Sequence, residues 1–177
     1  MKIVALLALL LTLAGCGGAA APEPRSYDLG LAAPSAAMPP ARIASVRAVA
    51  PFDSIDMLYR LAYRDAAELG AFANSRWAAS PPELLRKQML RASGDKAGRC
   101  VVDVEIQEFT QVFSAKDASE ARVELRAWVR GGGAHGWSLS EPNAGADAAS
   151  GAAAFARAAN RAVGELGAWI GAQPECR

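Results

Sequence analysis

Two stretches of strict alternation, joined by a polar turn, restrict this chain more than anything else in it. Val102, Val104 and Ile106 share one parity, and Asp103, Glu105 and Gln107 share the other. Beyond Lys116 to Ser119, Val123, Leu125, Ala127 and Val129 alternate with Arg122, Glu124, Arg126 and Arg130. A period of two sends successive side chains to opposite faces, so the pattern predicts an antiparallel hairpin with one apolar and one wet face. Gly131 to Gly133 predicts another turn, and Trp137 and Leu139 continue the meander by a third strand. The apolar face of such a sheet must be buried under other elements.

Two helices are available for that task. Ser80, Pro81 and Glu83 make a helix start in which Ser80 is the N-cap, Pro81 the first helical residue and Ser-x-x-Glu a capping box. This helix runs to about Ala92, with Leu84, Leu85 and Met89 for its apolar side, and a turn follows over Gly94 to Gly98. The second helix spans about Asp147 to Ile170, with Phe155, Ala159, Val163, Leu166 and Ile170 along one stripe. Upstream, Tyr27, Leu29 and Leu31 alternate within a first strand over 25–31. A Pro- and Ala-rich connection over 32–41 leads to a second strand over 42–50, holding Ile43, Val46 and Val49. Ile55, Met57, Tyr59, Leu61 and Tyr63 then alternate with Asp56, Arg60 and Arg64, and a short element lies around Leu69 to Trp77. The expected fold is α+β: a mainly antiparallel sheet of about six to seven strands with two helices packed on one face. Much of the apolar half of the composition is alanine, so the core must lean on a few large side chains.

The N-terminus is of another kind. After Met1 and Lys2, residues 3–14 carry no charge, and Leu13-Ala14-Gly15-Cys16 resembles a bacterial lipobox. The run is too short to span a bilayer comfortably. The likeness implies removal of residues 1–15 as a lipoprotein signal peptide. Cys16 would then carry diacylglycerol on its thiol and an N-acyl chain such as palmitate. Two acyl chains already hold a protein stably, at roughly 0.8 kcal/mol per buried methylene. Gly17 stands where an inner-membrane retention signal would place Asp, which points to the outer membrane, periplasmic face. The competing reading is an ordinary secretory signal cut near Ala19 to Ala21. Residues 16–24 then form a spacer with little to bury, 25–172 one domain, and 173–177 a C-terminal tail. The 162 residues that remain are too few for two domains of ordinary size.

Charge and side-chain chemistry narrow the function. Without Lys2, 18 basic residues balance 18 acidic ones, which argues against nucleic acid as a partner. Cys100 shares the parity of Val102 and Cys176 lies beside the C-terminus; they are read either as a disulfide or as two free thiols. His135 is the one histidine, so no metal site is expected. It sits in Gly-Gly-Gly-Ala-His-Gly and reads as a turn residue. Asp53 and Asp56 read as turn formers. No nucleophile elbow or P-loop occurs, and the chain is expected not to be an enzyme and to use no cofactor. Trp128, on the polar parity between Arg126 and Arg130, reads either as a partner contact or as a ring covered by a neighbouring loop.

The ordered set of lipobox, Tyr27-Asp28-Leu29-Gly30, Met57-Leu58-Tyr59-Arg60, Trp77, Pro81-Pro82, Leu84-Leu85 and Ala168-Trp169-Ile170 resembles the ABC-type transport auxiliary lipoproteins, the PqiC-like family. The resemblance implies a non-catalytic docking component of an ABC/MCE-type lipid transport system that maintains envelope integrity. Its partners would be an MCE-domain protein with the associated ABC permease, or copies of itself. A structural or assembly lipoprotein binding an outer-membrane barrel or the cell wall is the alternative, and an anchored hydrolase with an unrecognised site is a third reading.

Overall fold

The computed structural model describes residues 23–31, 37–93 and 98–177. The lipobox, most of the spacer and most of the Gly94 to Gly98 turn lie outside these. The strands are β1 (Arg25–Tyr27), β2 (Arg42–Ala48), β3 (Asp56–Arg60), β4 (Gly70–Trp77), β5 (Val101–Phe113), β6 (Ser119–Val129) and β7 (Ala134–Pro142). Helix α1 (Pro81–Ser93) precedes β5, helix α2 (Ala148–Ala172) follows β7, and a 3-10 turn closes the chain at Pro174–Cys176. The strands form one sheet in the order β1-β4-β3-β5-β6-β7, with β2 also on β5.

The expected mainly antiparallel sheet is corrected to a mixed one. β1/β4, β2/β5 and β3/β5 are parallel pairs, whereas β3/β4, β5/β6 and β6/β7 are antiparallel. The reason lies in the 13-residue β5. Its hairpin partner β6 occupies one edge from Val102 to Phe113. The other edge is shared end to end: β2 pairs with Val101 to Ile106, and β3 with Gln111 and Val112. The chain from 42 to 60 thus runs along β5 in a single direction, interrupted by a loop whose Val49 N–H donates to Ile106 O at 3.0 Å. Parallel pairing requires a long crossover, and β4 and α1 supply it. The end of α1 returns to the start of β2, where Met38 N–H donates to Ala92 O and Arg42 N–H to Cys100 O.

The meander holds as read, but β5 is not uniform. A register shift between Ile106 and Glu108 inserts one residue, so the parity facing Val123 and Ala121 passes from that of Val102, Val104 and Ile106 to Phe109 and Gln111, and beyond the shift Thr110 and Val112 of the other parity are buried as well. The 55–64 alternation also breaks: Met57 and Leu58 are both buried, while Ile55 and Tyr63 are exposed. The strand ends at Arg60. The first strand stops at Tyr27 and the second at Ala48, short of the expected ends.

Helix α2 buries its stripe completely, with Phe155, Ala159, Val163, Leu166 and Ile170 all at 1% exposure or less. Ala152, Ala154, Ala158 and Ala162 beside them let the helix lie close to the sheet. Phe155 enters a ring cluster with Phe109 (4.4 Å, stacked) and Trp77 (5.2 Å, edge-on), joining β4, β5 and α2. At its start, Asp147 Oδ1 accepts from Ser150 N–H at 2.8 Å, an N-cap worth about 1 kcal/mol. The Ser150 hydroxyl on the same carboxylate is the main cause that holds the Asp147 carboxyl below its ordinary range. In α1, the Glu83 carboxylate accepts from both the N–H and the hydroxyl of Ser80. Leu84, Leu85 and Met89 are buried, and so is Gln88, whose carboxamide donates to Leu29 O at 3.2 Å.

Candidate functional site

With its apolar face under α1 and α2, the sheet leaves its other face to solvent, and this face is built by the polar parity of β5 and β6. Register places Trp128 opposite Asp103 on β5 and Ala134 on β7. Arg126 lies opposite Glu105 and Gly136, and Glu124 opposite Glu108 and Ser138. Every outward charge therefore has neighbours on two strands. Arg130 grips Asp103 through two nitrogens at 2.8 and 3.2 Å, and Ser45 on β2 donates to the same carboxylate at 2.6 Å. Arg47 reaches Glu105 at 3.4 Å. The like-charge pair Glu108 and Glu124 is relieved by Arg60 on Glu108 at 3.3 Å and by the Ser138 hydroxyl on Glu124 at 3.3 Å.

Arg126 takes a different partner. Its guanidinium lies 5.4 Å from the centroid of the Trp128 indole, a cation–π contact worth about 0.5–1 kcal/mol at an exposed site. Trp128 is half-buried, and its β7 neighbours Ala134 and Gly136 are too small to cover the ring. Trp128, Arg126 and Arg130 thus share one outward patch, where Arg130 is tied to Asp103 and Arg126 shields the indole. What the arrangement can do chemically is present a flat aromatic surface beside a planar cation, which suits contact with another surface.

The Arg130 guanidinium, then the Ser45 hydroxyl, hold the Asp103 carboxyl below its ordinary value of 3.8. A folded pKa below the unfolded one means that the folded protein binds this proton less readily. Stability from the pair is therefore complete above about pH 4, and is lost as pH falls from there through the lower folded value. Asp103→Asn should lower the melting temperature at pH 7 and narrow the gap from the parent at pH 3. Thermal melts at the two pH values check this, and a gap of equal size at both would contradict it.

The other residues singled out by sequence lie elsewhere. Cys100 and Cys176 are joined by a disulfide, with Cα atoms 4.8 Å apart, which fixes the tail to the start of β5. His135 belongs to β7 and not to a turn, and its ring packs against Trp137 at 4.7 Å and Trp169 at 6.3 Å. Asp53 lies in the turn ahead of β3, whereas Asp56 opens β3 itself, with the Ser54 hydroxyl donating to its carboxylate and accepting from its N–H. Cys16 lies outside the described residues. Among the described residues, no three His, Cys, Asp or Glu side chains gather as a metal site, and no helix is long and apolar enough to cross a membrane. The ion-pair lattice was not legible beforehand, because it depends on which strands meet across β5.

No family model and no curated protein matches the chain. Solved structures do match. Protein XCC0632 from Xanthomonas campestris, of family DUF330, has a TM-score of 0.64 at 21% identity, covering 84% of this chain and 91% of its own. An uncharacterized protein has a TM-score of 0.65 at 10% identity, covering 84% of this chain and 99% of its own. At these identities the likeness establishes a shared fold.

Proposed function

We propose that this protein is a lipid-anchored, non-catalytic docking component of an ABC/MCE-type lipid transport system, held at the periplasmic face of the outer membrane through Cys16. The observation that carries the proposal is the fold shared with a DUF330 protein over most of the chain, since the PqiC-like lipoproteins are that family. The lipobox-like Leu13 to Cys16 and the outward Trp128 patch support it from the sequence and the surface respectively. The anchor confines the domain to a thin layer, which raises its effective concentration toward a partner in the same envelope. A modest surface such as Trp128 with Arg126 then suffices for engagement.

Crosslinking in intact envelopes tests the proposal. An MCE-domain protein should be captured by the parent chain. The yield should fall with Trp128→Ala and fall further with Cys16→Ser, although both variants stay folded. Capture of only a barrel or a cell-wall component would overturn the transport reading in favour of an assembly role.

A further inference from the structure

Apart from the outward face, two adjoining hollows form a trough between β4 and the start of α2. Its first half is the more polar one, where Glu23, Arg25, Asn74, Ser75 and Asp147 stand beside Tyr27 and the first alanines of α2. Its second half is an apolar groove of about 350 Å³, lined by Tyr59, Leu61, Tyr63, Phe72 and Phe113, with Lys116 among the lining residues. The two halves adjoin in sequence on both walls. Ala71 to Ala73 pass into Asn74 and Ser75 on β4, and Ala146 passes into Asp147 to Ala149 at α2. In the aromatic half, Tyr59 packs on Phe72 at 4.9 Å and on Phe113 at 6.2 Å. Its ring lies over Gly70, where any Cβ would collide with it. These rings therefore form a fixed surface, and Tyr63 is 40% exposed.

The direction of β1 supplies an occupant. β1 runs parallel to β4, with Arg25 beside Ser75 and Tyr27 beside Trp77. Pro24 and Glu23 therefore lead from Arg25 toward the Ala73 end of β4, where the polar half meets the aromatic one. Glu23 already lines the polar half. The residues before it are Ala19-Ala20-Ala21-Pro22, small and uncharged, matching the change in the lining from polar to apolar. Pro22 and Pro24 lack the N–H needed to extend the β1 ladder. Contact there would be made by proline and alanine side chains against aromatic rings, as in the recognition of extended Pro-containing segments.

We infer that the trough is the docking site of the chain's own spacer, with Ala19 to Pro22 seated in the groove of Tyr59, Tyr63, Phe72 and Phe113. The inference concerns the folded chain alone and stands whether or not Cys16 is acylated. If Cys16 is the anchor, as proposed above, docking has a consequence for pose. Undocked, residues 17–22 let the domain stand off by up to about 20 Å; docked, they leave only Gly17 and Gly18 free and hold the Tyr63 and Lys116 end of the domain toward the membrane.

The test uses the full mature chain with Cys16→Ser and a nitroxide on Ala20→Cys, the Cys100–Cys176 disulfide being intact. The amide NMR signals of Phe72, Ala73 and Lys116 should lose intensity, while those of Gly131 and Ala134 at the far end of the sheet keep theirs. Adding Ala21→Asp, which alters only the spacer, should restore the lost signals, and so should Tyr63→Asp on the exposed rim. Full signal at Phe72 and Lys116 without either change would overturn the inference. So would loss seen only when labelled and unlabelled chains are mixed, which would make a second copy the occupant. Loss appearing only in acylated protein would assign the groove to the lipid and overturn it equally.

Discussion

Replacing Phe155 with Ala is expected to cost about 3–5 kcal/mol of stability. Phe155 is the fully buried ring that α2 sends into the middle of the sheet, and it touches Phe109 and Trp77 together. All three are essentially inaccessible to solvent. The alanines around it hold the helix close to the strands but contribute little area, so no neighbour can expand into the space left behind. The stacked and edge-on contacts add about 0.5–1.5 kcal/mol per pair beyond area alone. For a chain of this size the melting temperature should fall by roughly 6–20 °C, and Phe155→Leu should lose much less. Thermal or denaturant melts of the two variants read this directly. A Phe155→Ala shift within the range of an ordinary surface substitution, about 0.5 kcal/mol, would show that α2 does not pack on this ring pair.

Removal of the Cys100–Cys176 disulfide is expected to be nearly as costly. The bond closes a loop of sequence separation 76, for which loss of the chain constraint alone is worth roughly 4 kcal/mol. The loop contains β5, the meander and all of α2, so the unfolded chain is restricted over the part of the sequence that builds most of the sheet and its covering helix. A local consequence adds to the general one. Gln173 and Glu175 lie against Gly133 and Gly132 in the β6–β7 turn, where an added Cβ would meet their side chains. Freed from Cys100, this tail should lose its seat before the core opens. The double variant Cys100→Ser and Cys176→Ser, melted beside the parent with and without reductant, measures the effect. Reductant should lower the parent toward the variant and leave the variant unchanged. A parent indifferent to reductant, with its thiols shown to be free afterwards, would contradict the expectation.

Which parts of this fold could be read from sequence follows from what each pattern encodes. Val102 to Ile106 and Val123 to Val129 encode facing, and a polar turn between them also encodes adjacency, so the hairpin was legible. The Phe155 to Ile170 stripe encodes one helix face in the same way. Parity says nothing about which strand a neighbour will be when chain-distant elements meet. The parallel pairing of β2 and β3 with β5 is settled by α1, which brings the chain back beside Met38, and no local signal announces it. The bulge after Ile106 had a trace in the sequence: Phe109 and Phe113 are out of step with Val102 to Ile106. Gln88 and Gln111 are buried polar groups with no hydrophobic signature. Gln111 is recoverable only from the three-dimensional match between its carboxamide, Ser119 and the bare backbone of Gly151.

The candidate site divides along the same line. Trp128 on the polar parity marked the outward face directly, since an indole among arginines breaks the expected composition of a wet surface. Its relation to Arg126 is within one strand and was equally open to reading. The clamp of Arg130 and Ser45 on Asp103 spans β2, β5 and β6, and needed the topology first. The aromatic trough is more distant still, because Tyr59, Phe72 and Phe113 come from three strands whose order is not the order of the chain.

We propose above that lipid on Cys16 holds a folded docking domain to the outer membrane. Intact-mass measurement of the native protein from envelope membranes tests it most directly. The expected species begins at Cys16 and carries a diacylglycerol and an N-acyl chain on that residue. A protein recovered without acyl chains, starting near Ala19 to Ala21, would contradict it.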